Sequence, residues 1–172
     1  MKSTDLNIFT KAALTAVLVN NDFHYMHFLS SGKDFDKSHN LAQEYYDKID
    51  GEVDYLMELA LEVQAPVYNY TVAGQMLPEY QSENKPSYDY PTLIECLKNK
   101  IAGYITVLKE LRNSTSDDSI QSRLDDMVRD WEKELNYRLD RRTEKPIILN
   151  GFINTGFDDR MSRMYGAQNT KY

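Results

Sequence analysis

Apolar residues return every three or four positions over most of this chain, and four long runs of the pattern stand out. Between Thr4 and Leu29, the residues Leu6, Phe9, Ala13 and Val17, then His24 and His27 beyond Asn20, fall on one helical face. Ser3 or Thr4 is placed to cap this helix, with Asp5 in its first turn. Ser30-Ser31-Gly32-Lys33 breaks the pattern, and Asp34 or Asp36 can cap the next helix. From Asp36 to about Val63 this second helix carries Leu41, Tyr45, Ile49, Val53, Leu56, Ala60 and Val63 as its stripe. Gly51 interrupts it at a cost of about 1 kcal/mol against alanine, and leaves space for another helix to come close.

Gln64 to Tyr90 changes character: Pro66, Pro78 and Pro86 and the polar run QSENKPSYDY mark a long connection, with a short helix expected around Thr71–Met76. A connection of this length inside one domain has a reason when the next helix runs parallel to the last and the chain must return along the whole bundle. Pro91 suits a first helical turn, and Ile94, Leu97, Ile101, Tyr104, Leu108 and Leu111 form a bundle seam after it. After NSTSDD, with Ser116 as the expected N-cap, Ile120, Leu124, Met127, Trp131, Leu135 and Leu139 mark the fourth helix. Thr143–Tyr172 reads as a tail with an apolar anchor, Ile147–Phe157. The expectation is an all-α, ferritin-like four-helix bundle (up-down-down-up) over 1–142, with a C-terminal tail over 143–172.

Composition narrows the picture. At 172 residues the chain holds one domain with a real core. No apolar run approaches the roughly 20 residues that span a bilayer, and the start lacks the pattern of a secretory signal. Cys96 is the lone cysteine, which excludes an internal disulfide and suits a reducing, cytoplasmic setting. A net charge of −7 argues against the body as a generic nucleic-acid binder and suits a surface that attracts cations. All three histidines (His24, His27 and His39) lie within sixteen residues, just ahead of a run of carboxylates. Imidazole and carboxylate together invite a metal-site reading.

Spacing gives the cluster its meaning. Twelve residues separate His27 from His39, fifteen separate His39 from Asp54, and four separate Asp54 from Glu58; Gly32-x-x-Phe35-x-x-x-His39 lies between the histidines. In this the chain resembles the Dps family, the small bacterial ferritins that store iron and protect DNA, over about Thr4–Arg142. The resemblance implies a hollow dodecamer with iron sites at two-fold interfaces: His27 and His39 from one copy, Asp54 and Glu58 from its mate, and His24 as a further, weaker candidate. The helix geometry agrees, because His39 and Asp54 lie about 22 Å apart along one helix at 1.5 Å per residue, too far for one ion. Ordinary ferritin needs a Glu-x-x-His within its second helix, and no histidine comes after His39.

The chain also departs from the family. Gln43 stands where the family has aspartate, and a neutral amide oxygen is the weaker ligand. Glu44 points about 100° round the helix, and Asp47 is a turn too far. Phe28 replaces the family's tryptophan, which leaves Tyr25, Tyr45 and Tyr46 as candidates for taking up oxidising equivalents. The resemblance places Asp117, Asp118, Asp125 and Asp126 at a three-fold iron pore. Arg141, Arg142, Lys145, Arg160, Arg163 and Lys171 outnumber the acids of the tail and are the candidate DNA contacts. Ferrous oxidation with peroxide or oxygen is the leading expectation. The alternative is a DNA-associating shell with a degenerate site, and a small metal sensor is the third reading.

Overall fold

A computed structural model describes residues 6–78, 80–82 and 84–142 of the chain. Among the described residues, five α-helices occur in order: α1 (Ile8–Phe28), α2 (Phe35–Glu62), α3 (Tyr70–Met76), α4 (Tyr90–Ser114) and α5 (Asp118–Lys133). A π-helical turn, Glu134–Leu139, and a 3-10 turn, Asp140–Arg142, continue α5. The tail 143–172, with its anchor and the 142/143 boundary, lies outside the described residues, as do Ser3, Thr4 and Asp5.

Hydrogen bonds at one end of the bundle fix its connectivity. Ser31 N–H donates to Tyr88 O and Tyr88 N–H to Leu29 O, each at 2.8 Å, so α4 begins where α1 ends and α2 begins. α4 therefore runs parallel to α2, and the short turn after Ser114 sends α5 back. This is the ferritin-like bundle, with α3 on the long crossover. Buried Asp22 of α1 accepts from Tyr80 Oη at 2.7 Å and pairs with Lys100 of α4 at 2.9 Å. The crossover is thereby tied to two helices at once.

Local differences from the sequence expectations have physical causes. α1 starts at Ile8, and Asn7 rather than Ser3 or Thr4 caps it, through Phe9 N. Its buried face is also wider than the expected stripe: Ala12, Ala16, Val19, Phe23 and Met26 are core, whereas Phe9 and Val17 are half-buried. α1 packs on α2, α3 and α4 at once, so a single stripe undercounts what it buries. Asp34 precedes α2 without capping it, because its side chain accepts from Lys37 instead. Gly51 faces open space, with no neighbour within 4 Å of an added Cβ, so it allows no close helix approach. α2 ends in a Schellman turn: Gln64 takes φ 57°, and Ala65 N–H reaches Ala60 O. Val63, just past the last turn, is exposed rather than core. Asp117 caps α5 through Ser119 N and Ile120 N, displacing Ser116 from that role. Asp89 caps α4, and Pro91 sits in its first turn as expected.

Candidate metal centre

Gly32 makes the turn that brings the two histidines together. Its φ of 86° is a left-handed conformation that side chains disfavour, and it lets α2 start a few residues after α1 ends. His27, in the last turn of α1, and His39, in the second turn of α2, then lie with ring centroids 3.8 Å apart. Each ring reaches the other residue's backbone: His27 Nδ1 lies 3.3 Å from His39 O, and His39 Nδ1 lies 3.2 Å from His27 O. A carbonyl oxygen only accepts, so both Nδ1 atoms carry the hydrogen, and in the neutral ring that leaves the Nε2 lone pair as the ligand atom. A second atom that fixes tautomer and ring orientation is what metal-binding imidazoles need.

Aromatic rings wall this corner. Phe35 stacks on His39 at 5.2 Å, and Phe28 meets His27 edge-on at 5.4 Å. His24 lies parallel to Tyr46 at 4.4 Å and within 4.5 Å of Phe28, so stacking occupies its faces. Phe28 is 67% exposed, an unusual exposure for so large an apolar ring beside polar ligands.

The carboxylates stand elsewhere. α2 is unbroken from Phe35 to Glu62, which puts Asp54 about 22 Å and Glu58 about 28 Å from His39 along the axis. Both are exposed, and neither has a hydrogen-bond or ion-pair partner among the described residues. With Asp47 and Asp50 they form one exposed stripe at three- and four-residue steps. No three or more His, Cys, Asp or Glu side chains converge to hold an ion within one chain, among the described residues. Gln43 is held by its neighbour one turn on: its Nε2 donates to Asp47 Oδ1 at 2.7 Å, which leaves the amide oxygen as its one ligand atom. Glu44 is ion-paired with Arg138, so it does not replace the missing acid.

The remaining candidates have ordinary local partners. Asp117 is a helix cap, and its bonds from Ser119 and Ile120 hold its carboxyl below the usual range. Asp125 accepts from Arg112 at 3.0 and 3.2 Å, Asp126 from Arg129, and Asp118 opens α5. Arg141 stacks on the exposed Tyr137 ring at 3.8 Å, and Arg142 donates to Tyr90 Oη. Lys145, Arg160, Arg163 and Lys171 lie outside the described residues.

Sequence reasoning missed the polar groups inside the bundle. Glu52 is buried on α2, and its Oε2 accepts from Trp131 Nε1 at 2.8 Å and Tyr104 Oη at 2.9 Å. Burial pushes its carboxyl up, only partly offset by these two donors and by Lys48 and Arg123. Tyr45 donates to Glu134 at 3.0 Å. Burial also raises Glu134, but Tyr45, Lys48 and Arg138 together outweigh it and hold that carboxyl low. Glu52 comes straight after the break of the α2 stripe at Gly51 and looks like surface charge in one dimension; only its distant donors reveal it.

No protein-family model and no curated protein matches the chain. Solved structures do. Helicobacter cinaedi CAIP superposes with a TM-score of 0.71 at 19% identity, covering 82% of this chain and 99% of that one. Dps from Staphylococcus aureus gives 0.68 at 19%, covering 81% and 94%. The Vibrio cholerae O1 DPS protein, described as one of a broad superfamily of ferritin-like diiron-carboxylate proteins, gives 0.70 at 19%, covering 81% and 89%. The chain has the Dps fold. The likeness read from Gly32-x-x-Phe35-x-x-x-His39 thus extends to the path of the whole bundle, and Dps structures stand at nearly their full length against it. Among the described residues, no helix is long and apolar enough to cross a membrane.

Proposed function

We propose that this chain is the subunit of a Dps-like mini-ferritin whose iron sites are each shared by two copies. His27 and His39 of one copy supply imidazole Nε2 ligands; Asp54 and Glu58 of a second, antiparallel copy supply the carboxylates. Ferrous iron is the substrate and, once oxidised, the cargo. Two ferrous ions give two electrons to one peroxide, which takes up two protons and leaves as two waters. The hollow dodecamer implied by the sequence resemblance would hold the ferric product, and keeping ferrous iron from peroxide would protect DNA.

One observation carries this reading. The two histidines turn Nδ1 to each other's backbone carbonyl at one end of α2, while its exposed acid pair stands near the other end without a partner among the described residues. Exposed carboxylates one turn apart repel by a few tenths of a kcal/mol, so they bring no stability to the isolated chain. A cation supplied from across a two-fold axis would offset that repulsion. The test is ferrous oxidation by peroxide with the full chain and with His39→Ala. The proposal expects a rate well above buffer that falls to buffer in the variant. Equal rates in both proteins would sink it.

A second reading rests on Gln43. With its amide held by Asp47, the position that should be acidic offers only a carbonyl oxygen, which fits a DNA-associating shell whose oxidation site has decayed. That reading expects salt-sensitive DNA retardation, lost when the tail's basic residues are neutralised, and no iron core.

A further inference from the structure

Between α1, the crossover and α4 lies an open groove of about 370 Å³, lined by Thr15 of α1, Leu77 and Tyr80 of the crossover, and Gly103, Thr106 and Val107 of α4. A cavity of about 150 Å³ accepts a benzene ring, so the groove has room for about two large apolar side chains. Its charges are already matched. Lys11 pairs with Glu110 at 2.6 Å, and Lys100 pairs with Asp22 at 2.9 Å and donates to Gln81 O. The Thr15 and Thr106 hydroxyls donate to carbonyls of their own helices. The carboxamides of Asn99 and Gln81 are left, exposed and without a hydrogen-bond partner among the described residues. A carboxamide both donates to and accepts from a peptide group. This lining therefore suits an uncharged stretch of polypeptide with apolar side chains, whereas a charged ligand would find no unpaired counter-charge among the described residues.

We propose that this groove is the docking site for the chain's own residues 147–157. The segment reads IILNGFINTGF and holds no Asp, Glu, Lys or Arg, although Glu144 and Lys145 precede it and Asp158, Asp159 and Arg160 follow. Its neutrality matches a groove whose charges are paired, and Ile148, Leu149, Phe152 and Ile153 are the apolar side chains for the floor between Tyr80 and Val107. Its peptide groups meet the two carboxamides.

The chain is long enough to arrive there. Asp140 pairs with Lys98, and Arg142 donates to Tyr90 Oη at 3.0 Å, so the backbone leaves the described residues beside the first half of α4. The part of α4 that lines the groove runs from Asn99 to Glu110, about 17 Å along the axis at 1.5 Å per residue. Ten peptide links join Arg142 to Phe152, and extended chain covers about 3.3 Å per link, or about 33 Å in all. Phe152 thus has the whole groove within reach. The proposal goes beyond the iron reading, and its test contains no iron, so either can fail alone.

Hydrogen exchange of the iron-free full chain, read by mass spectrometry, tests the docking. Residues 147–157 should exchange about tenfold more slowly, or better, than the same segment in Gly103→Phe. An added Cβ at Gly103 meets nothing within 4 Å, so the larger ring fills the groove and leaves the bundle in place. Phe152→Asp, which puts a charge into the segment, should abolish the protection as well. With p-benzoylphenylalanine in place of Phe152, irradiation of light and nitrogen-15 chains refolded as an equal mixture should link position 152 to the groove of its own chain. Exchange of the segment that neither substitution changes would overturn the proposal. So would links outside the groove, or links between light and heavy chains, which would put a second copy's tail there. Should Gly103→Phe lose its helical circular dichroism, Phe152→Asp decides, because it alters no residue of the bundle.

Discussion

The interior of the bundle and the outer corner of α1 and α2 handle polar groups in opposite ways. Inside, every charge has found its partner within the chain: Asp22 with Tyr80 and Lys100, Glu52 with Tyr104 and Trp131, Glu134 with Tyr45, Lys48 and Arg138. No buried side-chain nitrogen or oxygen among the described residues lacks a partner. Outside, His27 and His39 each reach the other's backbone carbonyl through Nδ1, while Asp54 and Glu58 are exposed and have no hydrogen-bond or ion-pair partner among the described residues. The interior is complete as one chain; the proposed site needs a second copy. The fold and the proposed site thus make separate demands on the sequence, and substitutions should separate them.

The sharpest separation is Trp131→Ala against Glu58→Ala. Removing the buried indole deletes core volume and strands Glu52, a loss of about 3–5 kcal/mol in chemical denaturation. Removing exposed Glu58 should leave stability within about 0.5 kcal/mol, measured on protein kept free of metal. A large loss at Glu58 would mean that the exposed acid stripe of α2 is structural after all. His39→Ala comes next: ferrous oxidation should drop to the buffer rate while circular dichroism keeps its helical signal. Gln43→Asp should act in the other direction, tightening iron binding by roughly tenfold, or about 1.4 kcal/mol, read by titration calorimetry. No change there would show that position 43 does not face the metal.

The smallest effect is in pH. Glu52 has a raised pKa through burial, so the folded protein keeps a proton that the unfolded chain releases near the ordinary glutamate value of 4.5. Its contribution is therefore complete below that value and is lost as pH rises through the folded one. Glu52→Gln should gain in Tm relative to the unaltered protein as pH rises from acid towards neutral. Glu134, held low, has the opposite sign: its contribution is present above the ordinary value and is lost as pH falls through the folded one. Glu134→Gln should therefore lose most at neutral pH.

The helix order was legible because apolar periodicity reports which faces are covered, and the long proline-marked connection by itself implied a crossover. The histidine motif was legible because its chemistry lies in short spacings that a helix converts directly to geometry. What stayed hidden is non-local. The Glu52 bonds join residues 52 and 79 positions apart, and no short window of sequence contains both ends. The π-turn at Glu134–Leu139 also lacked a signal, since Leu135 and Leu139 fit an ordinary helical stripe. α1 misled for a related reason: a helix covered on several sides at once loses the polar face that defines a stripe.

The central claim is that each iron site is built from two copies, and subunit mixing tests it directly. His39→Ala and Glu58→Ala are each expected to be inactive in ferrous oxidation. Unfolded together and refolded as a mixture, they should regain about a quarter of the unaltered activity, because half the two-fold pairs are mixed and each holds one intact site of two. Recovery near that fraction is the result the shared site requires. A mixture as inactive as its parents, although mixed pairs have formed, would contradict it.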